Sequence, residues 1–312
     1  MEALKNLIIE KRPALCEGSV KTYCNCLKSL HTKLFGKETQ IELTNFSNTD
    51  LIMAHMTPIE FNKRKTCLSA LVVITELPCY KELLNGDILK MKNKDLLQAK
   101  DGVFAENLIT PEEVLLVVIK QKKLAALLYK KPDKTNTDIT DIQNYILLCL
   151  TSGIYIPPRR SADWVIKTRG YDCENENYID LKKKQFVLNC YKTVKTYGAC
   201  SIDIPKELLA IIKKYLKIIP EGQDYLLFSP HTGKALGQSD IAYRLNTVFG
   251  KSISTSMLRH IYLTGKYPFI NLMNMTEDAA AMGNSVSQLM AYVKIGDAVA
   301  DCLVEVDSKI SL

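Results

Sequence analysis

The sequence lacks the features that mark several large classes of protein. No Gly-rich segment ends in Lys-Ser or Lys-Thr, so we expect no phosphate-binding loop for a nucleotide. The longest apolar stretch, residues 145–156, is too short to cross a bilayer. The opening residues, MEALKNLIIEKRP, contain no uncharged apolar segment, so we expect no signal peptide. These absences argue against an ATP-driven, a membrane-spanning or a secreted protein.

Metal and disulfide patterns are also missing. Ten cysteines are scattered along the chain, and Cys24 and Cys26 are the only close pair. No second pair of Cys or His stands at zinc spacing, and no carboxylate cluster stands at the spacing of a metal site. We therefore expect no metal, and free, mostly buried thiols in the reducing environment of an intracellular protein.

The composition is that of an ordinary folded protein. The chain has 312 residues, of which 47% are hydrophobic and 24% charged. These proportions exclude wholesale disorder and fibrous structure. The length suggests two domains of roughly 100–200 residues each. The net charge of +7 allows a polyanionic partner without requiring one.

Apolar residues recur at helical spacing through residues 1–97, which we predict to be a helical domain. Residues 98–109 are polar, contain Gly102 and lack a helical period, so we interpret them as a linker. A second domain is predicted for residues 110–294, and a helical tail for residues 295–312.

The second domain opens with a helix-start pattern, because Thr110 and Glu113 stand at the spacing of a capping box. Two strand-like segments, residues 186–191 and 199–204, flank a loop and indicate a β-hairpin. Helical spacing resumes after the hairpin. The predicted fold class is mainly α with a small antiparallel hairpin or sheet, an α+β fold.

Four short segments of the second half carry basic or nucleophilic side chains. They are PPRRSADW at 157–164, YKTVKT at 191–196, SMLRH at 256–260, and MGNS at 282–285 followed by Tyr292. In this order and spacing they resemble the tyrosine recombinase, or phage integrase, family. That family has an Arg with an acid three residues later, a Lys in a β-hairpin, His-x-x-Arg, a Gly-His-Ser-like segment and then a Tyr. The PPRR and LRHIY wording is most similar to integrases of large DNA viruses and their mobile elements.

The resemblance implies a core-binding domain at residues 1–97, a catalytic domain after it, and double-stranded DNA held between them. It implies that Arg160 and Arg259 bind the scissile phosphate, that Lys192 protonates the leaving 5′ oxygen, and that Tyr292 forms a 3′-phosphotyrosine. It also implies a homotetramer on DNA that uses no cofactor, and a viral or mobile-element origin, in cytoplasm or host nucleus.

The chemistry suits these residue types. Arginine stays protonated and its planar fork donates two hydrogen bonds at once to a phosphate. A free phenol titrates near pH ~10, so a tyrosine nucleophile needs nearby cations. A phosphotyrosine keeps the energy of the phosphodiester bond, so rejoining needs no ATP.

The sequence departs from the family pattern at three positions. The Arg that usually stands two residues after a Gly would fall at Tyr155, so Arg160 is preferred because it stands three residues before Asp163. Ser256 stands where the family has His, and Asn284 stands where it has His or Trp. His260 is a candidate substitute, although consecutive helical residues point about 100° apart. His260 and Asn284 therefore stay in the predicted catalytic set. Two alternatives also stay open, Arg159 for Arg160 and Lys195 for Lys192.

Further basic residues are candidate contacts to the DNA backbone. They are Lys21, Lys28, Lys63, Arg64 and Lys65 in the first domain, and Lys195 in the second. The sequence thus predicts a site-specific DNA recombinase. Two alternatives are a relaxing topoisomerase with the same chemistry and a DNA-binding protein whose catalytic site has degenerated.

Overall fold

A computed structural model describes residues 2–96, 106–267, 271–281 and 286. The described chain is mostly helical and contains one three-stranded antiparallel sheet, which confirms the α+β prediction. None of its helices is long and apolar enough to cross a membrane.

The chain forms two compact units. Of the described residues, 2–96, 271–281 and 286 fall in the first unit, and 106–267 fall in the second. The predicted catalytic domain, residues 110–294, therefore spans parts of both units. Most of the predicted linker and the whole tail lie outside the described residues, so the predicted domain boundaries stay a prediction.

The first unit is built from helices. They are α1 (Glu2–Lys11), α2 (Glu17–Phe35), α3 (Thr49–Met56), α4 (Phe61–Thr75) and α5 (Pro78–Leu96), with a 3₁₀ turn at Leu43–Ser47. Helix α2 ends at Gly36, whose φ of +91° suits a residue without a Cβ and stops the helix. The core is an aliphatic cluster in which Leu27, Leu68 and Leu71 are fully buried. Packing of apolar helix faces thus holds this unit together.

The second unit surrounds one buried helix. Its elements are α6 (Pro111–Leu128), α7 (Asn136–Thr151), a 3₁₀ turn (Ser161–Trp164), β1 (Tyr178–Asp180), β2 (Gln185–Leu188), α8 (Val194–Tyr197), β3 (Cys200–Asp203), α9 (Lys206–Leu216), α10 (Gln238–Phe249) and α11 (Thr255–Lys266). Every residue from 142 to 151 in α7 is buried, and α6, α9 and α10 pack against it. A last helix, α12 (Leu272–Ala281), falls in the first unit.

Two local predictions are confirmed in the second unit. The Thr110 hydroxyl accepts a hydrogen bond from the Glu113 amide at 3.2 Å, and the Glu113 carboxylate accepts one from the Thr110 amide at 2.7 Å. The predicted hairpin is the antiparallel pair β2–β3, in which Phe186 faces Ile202, and β1 extends it on the other side of β2. The strands are shorter than expected, because the connection between β2 and β3 contains α8.

Every cysteine in the described part of the chain is a free thiol, as expected. The expectation that most are buried is wrong, since only Cys24 and Cys149 are fully buried. Cys16 lies just before α2, Cys173 in a turn before β1 and Cys190 in a bend after β2, and all three are exposed.

Candidate active site

The first basic motif lies in the irregular segment after α7. Arg160 is the extended residue that precedes the 3₁₀ turn, with φ −70° and ψ 152°. Asp163 lies within that turn and is only 1% exposed. Its Oδ2 accepts a hydrogen bond from Nε of Arg159 at 2.9 Å. The acid of this motif is therefore held by the first of the two arginines.

Asp163 thus pairs with Arg159 and not with Arg160, the residue that the three-residue spacing favours. The spacing of three residues favours contact on a regular helix, but Arg160 has extended backbone and is not part of the turn. Its side chain is half-buried and makes no hydrogen bond or ion pair with described residues. The two neighbouring arginines therefore differ: a buried carboxylate holds the side chain of Arg159, and no described carboxylate holds that of Arg160.

The guanidinium of Arg159 also touches the second motif. Its Cζ lies 5.1 Å from the centre of the Tyr191 ring, a distance at which a cation is attracted to an aromatic face. The Tyr191 hydroxyl donates a hydrogen bond to the carbonyl of Gly198 at 2.6 Å. Burial raises the pKa of Tyr191, so the hydroxyl keeps its proton and remains a donor.

The Tyr191 hydrogen bond closes the connection between β2 and β3 into a compact loop. Lys192 and Lys195 both lie in this loop, residues 189–199, and both are exposed to solvent. The loop thus presents two cations at one end of the sheet. The structure does not distinguish the two lysines by burial, so the choice between them stays open.

The third motif lies on α11. Ser254 caps this helix, because its hydroxyl accepts a hydrogen bond from the Met257 amide at 3.2 Å. Arg259 is half-buried one turn further along, while Ser256 and His260 are exposed. Ser256, at the position where the family has His, thus points to solvent in the first turn of the helix.

Two contacts attach α11 to the segment that carries the first motif. The hydroxyls of Ser161 and Thr255 lie 2.9 Å apart and are buried. Gly153 has φ +87°, and a Cβ on it would lie 2.5 Å from Cδ2 of Tyr262. The ring of Tyr262 therefore occupies the space that any other side chain at position 153 would need. The segment with Arg159 and Arg160 thus adjoins both the loop with Lys192 and the helix with Arg259 in the second unit.

Most predicted DNA contacts of the first unit are surface residues. Lys21, Lys28 and Lys63 are exposed, and Lys65 is half-buried. Arg64 differs, because it is only 5% exposed and pairs with the buried Asp87. Two hydrogen bonds of 2.7 Å join the groups, and Arg64 also donates to the carbonyls of Met56 and Thr57.

The prediction of Arg64 as a DNA contact is therefore wrong for the described structure. Its guanidinium donates hydrogen bonds to Asp87 on α5 and to the carbonyls at the end of α3, where the helix dipole favours a cation. Arg64 joins three helices of the first unit and has no donor facing solvent.

Several predicted residues lie outside the described chain. Asn284 and Tyr292 are among them, as is Gly283. The described residues contain no group of three or more His, Cys, Asp or Glu side chains that could hold a metal ion.

Sequence reasoning missed Asn177, which is only 4% exposed and lies just before β1. Its side chain hydrogen-bonds to the backbone of Cys190, next to Tyr191. Its partners are backbone atoms, which no sequence pattern identifies, so no signal marked it.

Arg244 was also missed. It is buried and donates hydrogen bonds to the Gln143 side chain and to the carbonyl of Phe228. Burial lowers the pKa of Arg244.

No protein-family model and no curated protein matches the sequence. Among solved structures, the chain is similar to the crystal structure of XerA recombinase, with 12% sequence identity and a TM-score of 0.34. The match covers 97% of this chain and 96% of that chain. A likeness this distant says nothing by itself about the function of this chain.

Proposed function

We propose that the protein is a DNA strand transferase of the tyrosine recombinase type. One observation supports the proposal above the others: three of the four motifs, although far apart in sequence, lie on contacting elements of the second unit. The Ser161–Thr255 hydrogen bond spans 94 residues, and the Arg159–Tyr191 contact adds the lysine loop to the same place.

The proposed reaction transfers a phosphoryl group without a metal or nucleotide. The phenol oxygen of Tyr292 attacks the scissile phosphorus, a new O–P bond forms, and the bond to the 5′ oxygen breaks. Arg259 and one arginine of the pair Arg159 and Arg160 stabilise the charge that develops on the non-bridging oxygens. Lys192 gives a proton to the leaving 5′ oxygen, and a 5′ hydroxyl later reverses the step.

Proton handling is the weakest part of this arrangement. Ser256 does not act as a base near neutral pH, so His260 is the group proposed to accept the proton of the Tyr292 phenol. His260 lies on the same helix, one turn after Ser256, and is exposed. We therefore expect a slow enzyme, and a further loss of rate when His260 is replaced.

The decisive experiment is a search for a covalent adduct. The protein is incubated with a pool of nicked duplexes of randomised sequence, in which release of a short 5′ fragment traps the cleaved state. Adduct is recovered under denaturing conditions and its DNA is sequenced. We expect adduct with wild type and with Tyr243→Phe, an exposed tyrosine outside the motifs, and none with Tyr292→Phe. Adduct formation by Tyr292→Phe would contradict the proposed nucleophile, and no adduct with wild type would contradict the proposed activity.

The recovered sequences distinguish the two forms of the activity. A recombinase enriches a defined site, joins two duplexes and, we propose, acts as four protomers on two duplexes. A topoisomerase instead relaxes supercoiled DNA with no defined site.

A DNA-binding protein without transferase activity is the second candidate, and Ser256 favours it. Such a protein shifts duplex DNA with a steep dependence on salt and forms no adduct. Mobility shift at two salt concentrations, beside the adduct assay, separates this candidate from the first.

A further inference from the structure

The side chain of Asn177 holds the base of the lysine loop. Its Oδ1 accepts a hydrogen bond from the Cys190 amide at 2.7 Å, and its Nδ2 donates to the Cys190 carbonyl at 2.8 Å. Nδ2 is also 3.4 Å from the carbonyl of Asp163. One buried amide therefore satisfies both backbone groups of Cys190, as a partner strand does in a sheet.

Asn177 is itself held by the chain that follows the arginine motif. The Lys167 amide donates to the Asn177 carbonyl at 2.8 Å, and the Ile179 amide donates to the Lys167 carbonyl at 3.0 Å. These bonds fix the start of β1 beside the 3₁₀ turn. Backbone hydrogen bonds thus fix the position of Asn177, and the hydrogen bonds of its side chain fix the backbone of Cys190.

These contacts close a circuit through the site. Arg159 binds Asp163, the Asp163 carbonyl meets Asn177, Asn177 binds Cys190, and Tyr191 packs beneath Arg159. Lys192 is the next residue after this closed circuit. Within the circuit, Asn177 is the only side chain that bonds to the backbone leading directly into Lys192.

We propose that Asn177 is a positioning residue that places Lys192 against the leaving 5′ oxygen. The inference rests on the proposed function. A lysine side chain has four rotatable bonds, so its amine is placed reproducibly only if its backbone is fixed. A misplacement of about 1 Å in a reacting group is enough to cost about a hundred-fold in rate. Asn177 supplies that fixation to a loop whose tip is exposed.

The chain offers a matched control in Gln223. Its side-chain amide also joins two backbone groups, since its Nε2 donates to the Gly233 carbonyl at 2.9 Å and its Oε1 accepts from the Tyr225 amide at 2.9 Å. Neither partner belongs to the lysine loop, residues 189–199. Gln223→Ala thus removes the same kinds of hydrogen bond without changing the residues that lead into Lys192.

The first measurement is hydrogen exchange of the loop amides in the full-length protein without DNA. We expect Asn177→Ala to increase exchange at residues 190–198, and Gln223→Ala to leave these amides unchanged. If Asn177→Ala does not fold, Asn177→Asp replaces it, because a carboxylate still accepts from the Cys190 amide but cannot donate to its carbonyl. Unchanged exchange in the Asn177 variant overturns the inference, whatever the enzyme does.

The second measurement is the rate of adduct formation on two substrates, an ordinary duplex and one with sulfur as the bridging 5′ atom. A thiolate leaves without protonation, so it does not need Lys192. We expect Asn177→Ala to slow cleavage of the ordinary duplex about 10- to 100-fold, and the sulfur substrate to restore the rate to near wild type. Gln223→Ala is expected to match wild type on both substrates.

The outcomes separate the inference from the proposed function. Equal slowing of both substrates by Asn177→Ala, or no slowing, overturns the positioning role while the activity stands. No adduct with wild type on either substrate contradicts the activity itself.

Discussion

The hydroxyl groups of Ser161 and Thr255 share a buried hydrogen bond of 2.9 Å across 94 residues of sequence. Ser161 follows Arg160 directly, and Thr255 begins the helix that carries Arg259 one turn later. The bond therefore ties the two arginine motifs together through their neighbours, and leaves the guanidinium groups themselves unconstrained by it. Because both hydroxyls are buried, each provides the other with the hydrogen-bond partner that water provides at the surface.

Arg259→Ala is expected to slow adduct formation by roughly 100- to 1000-fold, the cost of losing one preorganised donor to a developing negative charge. Binding of duplex DNA is expected to remain close to wild type, because many other cations contribute to it. The rate of adduct formation and a mobility shift measure the two effects. Arg169→Ala, which removes an exposed arginine outside the motifs, is the control. Normal adduct formation by Arg259→Ala would remove this residue from the site.

Arg159→Ala and Arg160→Ala are expected to differ in stability. Loss of Arg159 leaves the 1%-exposed Asp163 without its cation, and breaking such a pair costs about 2–4 kcal/mol of the free energy of unfolding. The other Asp163 oxygen already lacks a hydrogen-bond partner among the described residues, so nothing compensates. Arg160→Ala is expected to change stability by less than about 0.5 kcal/mol. Urea denaturation measures both, and equal effects would contradict the assignment of Asp163 to Arg159.

Arg64→Ala is expected to destabilise the protein by about 3–5 kcal/mol, because it leaves Asp87 buried and unpaired. Lys63→Ala, at the exposed neighbouring position, is expected to change stability by less than about 0.5 kcal/mol. If Lys63 contacts a DNA phosphate, its loss lowers the salt dependence of binding by about one unit of slope. Chemical denaturation and binding at several salt concentrations test the pair. Wild-type stability of Arg64→Ala would show that Asp87 does not depend on this partner.

The Asp138 carboxylate is expected to make stability fall in acid. The Lys131 amine donates to it at 2.6 Å, and this bond, with the Thr135 amide as the next contribution, lowers the pKa of Asp138 to about 2. An unfolded aspartate titrates near ~3.9. A lowered pKa in the folded state gives stability that is fully present above the unfolded value and is lost as the pH falls from about 4 towards 2.

Asp138→Asn should therefore lower the urea midpoint at neutral pH, and the difference from wild type should shrink between about pH 4 and 2. Asp133→Asn, at an exposed position in the preceding loop, is the control and should leave the midpoint unchanged. A difference that stays constant down to pH 2 would contradict the role of the carboxylate charge.

Elements with local causes were predictable from the sequence. The Thr110 and Glu113 capping box needs only two side chains and the backbone between them, so four residues of sequence determine it. The β2–β3 hairpin followed from a change of period around Gly198, whose φ is +72°. What the pattern did not give was α8, since a helical turn of four residues carries no distinct apolar period.

Side-chain pairing across longer distances was not predictable. Arg64 stands in a basic run, which is typical of a solvated surface, yet it occupies the same helix face as Leu68 and Leu71. That spacing was a signal of burial, but its partner Asp87 lies on another helix, 23 residues away. Asp163 pairs with Arg159 and not with Arg160 because of where the 3₁₀ turn begins, and residue spacing alone does not define that start.

The contact between Gly153 and Tyr262 limits how this part of the molecule can change over generations of substitution. Position 153 cannot gain a side chain while Tyr262 is present, and its φ of +87° disfavours a side chain there in any case. The residue that position 153 accepts therefore depends on the residue at position 262, which lies on the same helix as Arg259.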